Sequence, residues 1–485
     1  MALCFVVNKD LTVPFSDVAR QLRDRGERIV WLSPSTRWSR WLMAEGWPKG
    51  DILSLPVHAD EWRNVPIDES LKSLADVESE PPGTIGNVIQ MCRYLRRSPP
   101  AFSYAYLSVV QRYVAPFLRN RNVEIVFGEA TWGFELLTWL VCRKNCIPML
   151  LPAPTRIPGD RFYFADAMTA GLFPFAEVMA ADHDWAQQFL ETWQRRPTPP
   201  TYMAEHFRGY KPFHARWLIE LAIGVLRPAL DRDDATLWPL RARIRDRIVR
   251  YANALAFRCL NPCRVAPDGE RYVLYPLHHQ PEASVDVYGS LNSNQVALIQ
   301  TLSKLLPATH KLWIKEHKGA IGDRSIGWYR RIAALPNVRL IDAFQDIYGL
   351  IRNADLVVTI SGTAAYEAAL MGIPALGLAP VFFSSLLSNA PTARSHPLEW
   401  RLPEILSTSK TQEAVSCMQR KAIDFLAHLH ANSFAGNPIV LQATASQRSA
   451  PGYLQSEGEA FSKFLRAFRE RRTEATTRLQ CKTTG

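Results

Sequence analysis

The feature that most constrains the fold is a series of short apolar segments that alternates with helical segments between residues 271 and 379. Each apolar segment is only a few residues long and is followed by a helical stretch, so the apolar segments are predicted to be buried strands. These strands are predicted at residues 271–279, 310–317, 337–342, 356–361 and 374–379. Strands joined in this way form a parallel sheet that is covered by helices on both faces. The sequence therefore predicts one complete doubly wound α/β domain.

The beginning of the chain shows the same alternation. Strands are predicted at residues 2–7, 27–33, 123–129 and 147–154, and helices at residues 14–26 and 131–144. The predicted fold class is therefore α/β, with two doubly wound Rossmann-like domains that face a cleft. The predicted units are an N-terminal Rossmann-like domain (1–173), a helical connecting segment (174–267), a C-terminal Rossmann-like domain (268–405), and C-terminal helices with a basic tail (406–485).

The chain carries a formal net charge of +11. Such an excess indicates binding to nucleic acid, to an anionic membrane surface or to anionic substrates. Nucleic acid is the weakest of the three, because the sequence has no RNP motif, zinc finger or continuous basic arm. The arginines cluster in segments 241–250 and 461–472. In the second segment, one helical face is apolar, which is typical of an interfacial helix and equally of a surface helix docked on a domain. That face consists of Phe461, Phe464, Leu465 and Phe468.

Several classes of protein are disfavoured by what the sequence lacks. No apolar run reaches the roughly 18 to 20 residues of a membrane-spanning helix, and the first residues lack the basic start of a signal peptide. We expect a cytosolic protein, with contact at the inner face of the membrane left open. Segment 216–226 (RWLIELAIGVL) is predicted to be a buried or interfacial helix. The absence of Gly-x-Gly-x-x-Gly and of a P-loop argues against a dehydrogenase or a P-loop NTPase.

No metal or cofactor is predicted. The eight cysteines are scattered, without histidines at zinc-site spacing, so reduced thiols are expected. The acidic residues of segment 231–238 lie in arginine-rich helical sequence rather than at a strand end. Basic strand-end loops would then neutralise the charge of a diphosphate, as a divalent ion does in other transferases.

Segment 359–375 (TISGTAAYEAALMGIPA) ends a strand and begins a helix. At that helix start, Ser361, Gly362 and Thr363 place amide N–H groups, two hydroxyls and the helix dipole at one point, which favours a phosphate. Glu367 lies one turn further along the same face, where it would accept hydrogen bonds from a ribose. The alternative is that Ser361 or Thr363 only caps the helix and that Glu367 is solvated.

Two other predicted strands end in polar residues. Lys315, Glu316 and His317 follow one strand, where they would neutralise a diphosphate or protonate a leaving group. His278 and His279 end another strand, and the loop after it contains Glu282. Ligands of open α/β sheets bind beyond the carboxyl ends of the strands, so both groups are candidate site residues. The alternatives are a loop of solvated charges for the first group and structural histidines for the second.

The N-terminal domain has its own candidates. Glu129 ends a strand just before a predicted helix, so its carboxylate would face the cleft and act as a base for an acceptor hydroxyl. The alternative is that it interacts with the N-terminal dipole of that helix. Arg156, Asp160 and Arg161 lie in the loop after the next strand. The two arginines are placed to clamp an acidic sugar or acceptor.

Taken together, these segments resemble bacterial capsular and surface polysaccharide biosynthesis proteins, which are glycosyltransferases of the GT-B type. The resemblance rests on VFGEATWGFELL, PTRIPGDRFYF, YPLHHQPEASVDV, LWIKEH and ADLVVTISGTAAYEAALMGIPAL, between residues 123 and 379. It implies a two-domain GT-B fold, a nucleotide-sugar donor in the C-terminal domain, and a polysaccharide or lipid-linked acceptor entering from the N-terminal domain.

The chain is more distantly similar to bacterial sialyltransferases and Kdo transferases. These enzymes carry a His-Pro element after a strand and a Ser/Thr pair at a later helix start, both contacting the donor phosphate. By that similarity, His317, Ser361 and Thr363 are the corresponding positions. Lys318 stands where proline would be expected, which leaves the donor open between a CMP-sugar and a UDP- or GDP-sugar.

The sequence therefore predicts a metal-independent glycosyltransferase of surface polysaccharide synthesis. The predicted catalytic residues are Glu129, His317 and Glu316. A sugar-nucleotide 2-epimerase is one alternative, because it shares the fold and the phosphate site. A non-catalytic polysaccharide-binding or export-scaffold protein is the other.

Overall fold

A computed structural model describes residues 1–174, 181–199, 240–260, 269–388, 398–408, 412–436 and 455–483 of the 485-residue chain. Two sheets organise these residues, one in each predicted Rossmann-like domain. Segments 216–226 and 231–238, for which a helix and acidic residues without a metal were predicted, lie outside the described residues.

The N-terminal domain is built on a seven-stranded sheet of order β12-β6-β5-β4-β1-β2-β3. Its strands are β1 (Ala2–Val6), β2 (Arg28–Ser33), β3 (Ile52–Ser54), β4 (Val123–Phe127), β5 (Met149–Pro154), β6 (Arg161–Asp166) and β12 (Phe434–Ala435). Strands β1 to β5 are parallel, and β6 and β12 are antiparallel to their neighbours. The described helices of this part are α1 (Thr12–Asp24), α2 (Thr36–Ala44), α3 (Ala59–Asn64), α4 (Ile67–Ala75), α5 (Ile85–Met91), α6 (Pro100–Asn120) and α7 (Gly133–Lys144).

The C-terminal domain is built on a five-stranded parallel sheet of order β11-β10-β7-β8-β9. Its strands are β7 (Tyr272–Pro276), β8 (Lys311–Lys315), β9 (Val338–Ile341), β10 (Leu356–Thr359) and β11 (Ala375–Gly377). Its helices are α10 (Ala283–Asp286), α11 (Gln295–Leu305), α12 (Ile326–Ala333), α13 (Ile347–Asn353) and α14 (Thr363–Leu370). The other described helices are α8 (His183–Arg195), α9 (Leu240–Cys259), α15 (Leu398–Thr408), α16 (Gln412–Ala431) and α17 (Gln455–Thr483).

Both sheets are buried on both faces, as parallel sheets require. Along β1, Cys4 packs into the apolar cluster on one face and Phe5 into the cluster on the other. Along β7, Leu274 and Tyr275 divide in the same way between two clusters. Because successive side chains of a strand point to opposite faces, this division shows that helices cover each sheet on both sides. The predicted α/β class with two doubly wound Rossmann-like domains is confirmed.

The strand order fixes where a ligand is expected to bind. In the N-terminal sheet the order of the parallel strands reverses between β1 and β4, and in the C-terminal sheet it reverses between β7 and β10. Loops leave such a switch point in opposite directions and open a crevice beyond the carboxyl ends of the strands. The residues that follow β1, β4, β7 and β10 are therefore the first place to look for a site.

The end of the chain returns to the N-terminal domain. Strand β12 pairs with β6, and helix α17 packs Phe461, Phe464 and Leu465 into the N-terminal core, where each is almost fully buried. Arg469 of the same helix pairs with Glu27, at 2.7 Å, and with Glu124. The apolar face that suggested an interfacial helix is thus a docking face within the protein. Membrane contact through those side chains is excluded, because they are already packed.

The predicted unit boundaries at residues 173, 267 and 405 stay predictions, because neighbouring residues lie outside the described ranges. Within those ranges, no helix is both long enough and apolar enough to cross a lipid bilayer.

Candidate active site

Three loops predicted from the sequence as site residues lie side by side in the C-terminal domain. Strands β10, β7 and β8 are neighbours, and the residues that follow them are Ser361–Thr363, His278–Glu282 and Glu316–Lys318. The carboxyl ends of parallel strands meet at one edge of a sheet, which is why residues so far apart in sequence come together. The first two loops flank the switch point of this sheet.

The loop after β10 is held rigidly where helix α14 begins. The Ser361 hydroxyl donates to the Ser284 carbonyl at 2.6 Å, and the Gly362 N–H donates to Thr359 Oγ1 at 3.2 Å. Gly362 is the N-terminal cap of the helix, with no side-chain cap. The Ala365 N–H donates to the Gly362 carbonyl at 3.1 Å. The amides of Thr363 and Ala364, the first two residues of the helix, have no acceptor within it, so they and the helix dipole suit a phosphate.

His278 supports this loop from behind. Its Nε2 accepts the N–H of Ile360 at 3.0 Å, which places the ring proton on Nδ1. Burial, with Arg324 and His317 nearby, lowers the pKa of His278 to about 3, so the ring is neutral. A side chain at Gly362 would bring a Cβ to 3.0 Å from the His278 ring. His278 therefore positions the loop, and a Cβ at residue 362 would press on its ring.

His317 and Lys315 sit at the end of β8. His317 Nδ1 accepts the N–H of Gly319 at 3.2 Å, which places the ring proton on Nε2. Burial, with His279 and Lys315 nearby, lowers the pKa of His317 to about 4, so the ring is neutral at pH 7 and acts as an N–H donor. Burial and Lys318 lower the pKa of Lys315 to about 8, and its ammonium donates to the Ala343 carbonyl at 2.7 Å.

Glu316 belongs to an internal network. One carboxylate oxygen accepts from Arg324 Nη1 and from the His317 N–H, both at 2.7 Å, and the other accepts from the Tyr329 hydroxyl. The side chain is buried, and so is Arg324, which also donates to the His278 carbonyl. Because both oxygens have partners within the chain, this geometry favours a structural role for Glu316 over the predicted catalytic one.

Arg156 crosses from the N-terminal domain to the loop where α14 begins. Its Nη1 donates to Thr363 Oγ1 at 2.7 Å, at the first residue of α14. Arg156 has a φ of 67°, a backbone conformation that few residues with a side chain adopt and that is found at functional sites. Nearby, the Tyr366 hydroxyl donates to the Ile157 carbonyl at 2.7 Å. The prediction placed Arg156 with the acceptor, whereas in the structure its guanidinium contacts Thr363, in the loop predicted to hold the donor phosphate.

Glu129 follows β4, at the switch point of the N-terminal sheet. Its Oε2 accepts from Asn8 Nδ2 at 2.7 Å, and Asn8 follows β1, the neighbouring strand. Burial raises the pKa of Glu129, and Glu282 of the other domain raises it further, while Arg93 and Lys9 act against the rise. A carboxylate with a raised pKa is a stronger base than an ordinary exposed carboxylate, which suits it to accept a proton.

Tyr288 connects the two halves of the site. Burial raises the pKa of Tyr288, and both Glu129 and Arg156 lie within charge-interaction range of its hydroxyl. Glu282, at the start of helix α10, is exposed and acts electrostatically on Glu129. Glu129 of one domain is thus close enough to Glu282 of the other, and to Tyr288, for their charges to interact.

Sequence reasoning missed a cationic group beside Glu129. The ammonium of Lys9 lies 4.3 Å from the ring centre of Trp132, and the guanidinium of Arg93 lies 5.5 Å from it. The Trp132 indole N–H donates to Asn8 Oδ1 at 3.4 Å. Asn8 and Lys9 follow a strand end, so the rule that found His278 in the C-terminal domain would have found them here.

Other predicted residues have their side chains or backbone groups engaged with different parts of the chain. Arg161 donates to the Ser433 hydroxyl at 2.8 Å and to the Ser433 carbonyl at 2.6 Å, so it holds the end of the α16 segment rather than an acceptor. Asp160 is exposed, and its carbonyl accepts the N–H of Gly436 at 2.9 Å. His279 faces Asp323, with Nε2 3.0 Å from Oδ2.

Glu367 is buried one turn below Thr363 and accepts from the Tyr348 hydroxyl at 3.1 Å. Burial raises the pKa of its carboxyl from 4.5 to about 7, although Tyr348 and Arg156 favour the ionised form. The folded protein therefore binds more protons than the unfolded chain between these two pH values, and this contribution to stability is lost as the pH rises through about 7.

Replacing Glu367 by glutamine is expected to remove this pH dependence. Between about pH 5 and about pH 8 the parent should lose roughly 2–3 kcal/mol of unfolding free energy that the variant keeps. The reason is that the buried glutamate ionises over this range and glutamine does not. Urea unfolding at the two pH values measures the difference. Glu413→Gln, at an exposed glutamate of helix α16, is the control. An identical pH dependence for Glu367→Gln and the parent would contradict the assignment.

Within the described residues, no group of three histidine, cysteine or acidic side chains is arranged to hold a metal ion. No protein-family model matches the sequence, and no curated protein matches it.

Solved structures with similar arrangements include glycosyltransferases and epimerases. KpsC of Thermosulfurimonas dismutans, a β-Kdo 2,7 transferase, is 10% identical, with 68% of this chain and 85% of that chain covered and a TM-score of 0.30. HepE of Anabaena, in complex with UDP and glucose, is 12% identical, with coverages of 89% and 97% and a TM-score of 0.28. The UDP-GlcNAc 2-epimerase of Neisseria meningitidis, bound to UDP-GlcNAc, is 12% identical, with coverages of 96% and 99% and a TM-score of 0.22. Because TM-scores of this size carry no argument by themselves, the fold described above rests on the strand order of the chain itself.

Proposed function

We propose that this protein is a metal-independent GT-B glycosyltransferase. It transfers a sugar from a nucleotide-sugar donor to a hydroxyl of a capsular or other surface polysaccharide, or of a lipid-linked precursor. The observation that carries the proposal is the hydrogen bond from Arg156 to Thr363, which brings an arginine of one domain to the phosphate-binding helix start of the other. The resemblance of the sequence motifs supports the class of acceptor.

The donor phosphates would lie at the start of α14. The amides at its start and the Arg156 guanidinium would stabilise the negative charge that develops on the leaving nucleotide. The neutral His317 would add an N–H donor from the adjacent loop, and Glu367 would accept hydrogen bonds from the ribose. These groups are fixed before the reaction, which is the condition for electrostatic stabilisation of a transition state.

Glu129 would remove the proton of the acceptor hydroxyl as that oxygen attacks the anomeric carbon and the bond to the nucleotide phosphate breaks. Asn8 holds the carboxylate through one oxygen. The other oxygen is then directed by that bond, so Asn8 is a positioning residue. Lys9 and Arg93 flank the same pocket and would orient an acceptor with anionic groups. This cationic pair replaces the predicted clamp by Arg161, which is engaged elsewhere.

Arg156 gives the most direct test of the donor site. A thermal-shift and calorimetric comparison of CMP, UDP and GDP should identify one nucleotide that binds the parent protein. Arg156→Ala should weaken that nucleotide roughly 10- to 100-fold, because a hydrogen bond to a charged group contributes about 1.5–3 kcal/mol. Arg156→Lys should lie between, since it keeps the charge and loses the planar fork.

The control is Arg331→Ala, which removes an exposed arginine of helix α12 and should leave the affinity unchanged. The corresponding nucleoside, which lacks phosphate, should bind the parent and Arg156→Ala equally. The donor site would be refuted if none of the nucleotides bound, or if Arg156→Ala bound as tightly as the parent.

A sugar-nucleotide 2-epimerase is the second candidate, and one observation favours it. Glu129 and Glu282 come from opposite domains and lie within charge-interaction range of each other. Two carboxylates around one sugar are what proton removal and return at a carbon centre require. Incubation with the nucleotide-sugar alone separates the candidates, because an epimerase needs no acceptor. Epimerised product without acceptor would replace the transferase proposal.

A further inference from the structure

Helix α9 has one face docked on the C-terminal domain. Phe257 packs on the Tyr329 ring at a centroid distance of 4.9 Å, and the Asn253 amide donates to the Gly322 carbonyl at 3.1 Å. Arg250 pairs with Asp323, the residue that His279 faces. The inner face of the helix is therefore fixed next to the loop that precedes Arg324 and the Glu316 network.

The opposite face of α9 carries an apolar stripe. Ile248, Tyr251 and Leu255 are 58%, 54% and 45% exposed. Their spacing of three and four residues places them along one side of the helix over two turns, about 10 Å. An aligned group of exposed large apolar side chains is unlike the single ones found on any surface, and it indicates an interaction surface.

Positive charge accompanies the stripe. Besides Arg250, which pairs with Asp323 on the inner face, the sequence of α9 contains Arg241, Arg243, Arg245, Arg247 and Arg258, against Asp246 as its one acidic residue. The whole chain has a formal net charge of +11. An apolar stripe on an arginine-rich helix is the arrangement of helices that lie in the interface of an anionic bilayer, with the apolar side chains below the headgroups.

We propose that the outer face of helix α9 docks the protein on an anionic phospholipid bilayer. The arginines favour an anionic partner. A bilayer is favoured over an acidic protein because a flat bilayer accommodates apolar side chains and arginines along the whole helix at once. The inference adds to the proposed function, since a lipid-linked acceptor would be met at the same surface, but its test uses lipid binding alone. Helix α17, whose apolar face is packed in the protein, is not the docking element.

The test is flotation of the full chain with vesicles. The protein should float with vesicles of equal parts phosphatidylglycerol and phosphatidylcholine, remain unbound with phosphatidylcholine alone, and detach as salt is raised. The double variant Ile248→Ser/Leu255→Ser should lower partitioning roughly tenfold or more, because two large apolar side chains no longer enter the bilayer. Arg245→Glu should lower binding to the anionic vesicles as well.

Val57→Ser/Leu291→Ser is the matched control, since both residues are 77% exposed and belong to other elements than α9. It should float like the parent. The proposal is overturned if the α9 double variant floats equally well. It is also overturned if that variant melts at a clearly lower temperature, because the stripe would then be covered within the chain. A parent dimer that the variant makes monomeric, without vesicle binding, would assign the stripe to a second copy instead.

Discussion

Replacing Glu129 by glutamine is expected to lower turnover by a factor of about 10² to 10⁴, the range over which a positioned general base contributes. Glutamine keeps the size of the side chain and can still accept the hydrogen bond from Asn8, but it cannot take a proton. Nucleotide affinity should stay unchanged, because the proposed site for the donor phosphates is the start of α14 and not Glu129. Turnover and calorimetric binding, measured on the same preparation, separate these two effects.

The pH profile adds a second readout. Burial raises the pKa of Glu129, so the acid limb of the rate profile should lie above the ordinary carboxyl range and fall as the pH falls through that pKa. Asp68→Asn, an exposed carboxylate of helix α4, should change neither turnover nor profile. Unchanged turnover in Glu129→Gln would refute the base. Unchanged polysaccharide in cells carrying the variant would favour the non-catalytic scaffold.

Replacing Glu316 by alanine is expected to lower the free energy of unfolding by about 3–5 kcal/mol. The change leaves the Arg324 guanidinium buried without its carboxylate and removes the acceptor of the Tyr329 hydroxyl. Removing one partner of a buried pair costs far more than the net contribution of the intact pair, because the remaining charge stays away from water. Urea unfolding measures the loss.

A double-mutant cycle makes this prediction specific. Arg324→Ala should destabilise the protein to a similar degree, and the double variant should lose less than the sum of the two single losses. Asp60→Ala, which breaks a surface pair with Arg63, should cost under about 1 kcal/mol. If Glu316→Ala kept the parent's stability and lost only turnover, the original prediction of a catalytic Glu316 would be right.

The position of the C-terminal loops could be predicted from the sequence because a parallel sheet imposes it. Once β7, β8 and β10 were recognised as strands, the residues after them had to meet at one edge. The same reasoning reached Glu129 but stopped short of Asn8, which occupies the equivalent place after β1.

Contacts between the domains could not be predicted in this way. The bond from Arg156 to Thr363 joins residues 207 positions apart, and it depends on a left-handed backbone at Arg156 and on the way the two domains pack. Nor does the sequence show which charges at a strand end point inward. Glu316 and His317 are consecutive, yet Glu316 points inward because its carboxylate pairs with the buried Arg324.

The apolar face of α17 illustrates a related limit. Its periodicity correctly indicates that Phe461 and Phe464 avoid water, but periodicity carries no information about what covers them. The core of the N-terminal domain and a bilayer impose the same pattern on a helix. In this protein the N-terminal core covers the face, because the rings of Phe127 and Phe164 lie 5.0 Å and 4.8 Å from that of Phe461.

The return of the chain to its first domain sets an order of assembly during synthesis. Strands β1 to β6 leave the ribosome before β12 and before the side chains of α17 that fill their core. Domains generally fold as units as they emerge, so this one lacks the ring that packs on Phe127 and Phe164 until α17 has been made. A product that stops before Phe461 would bear Glu129 and Asn8 on an unfinished core. The N-terminal domain therefore completes its core only in chains synthesised through α17.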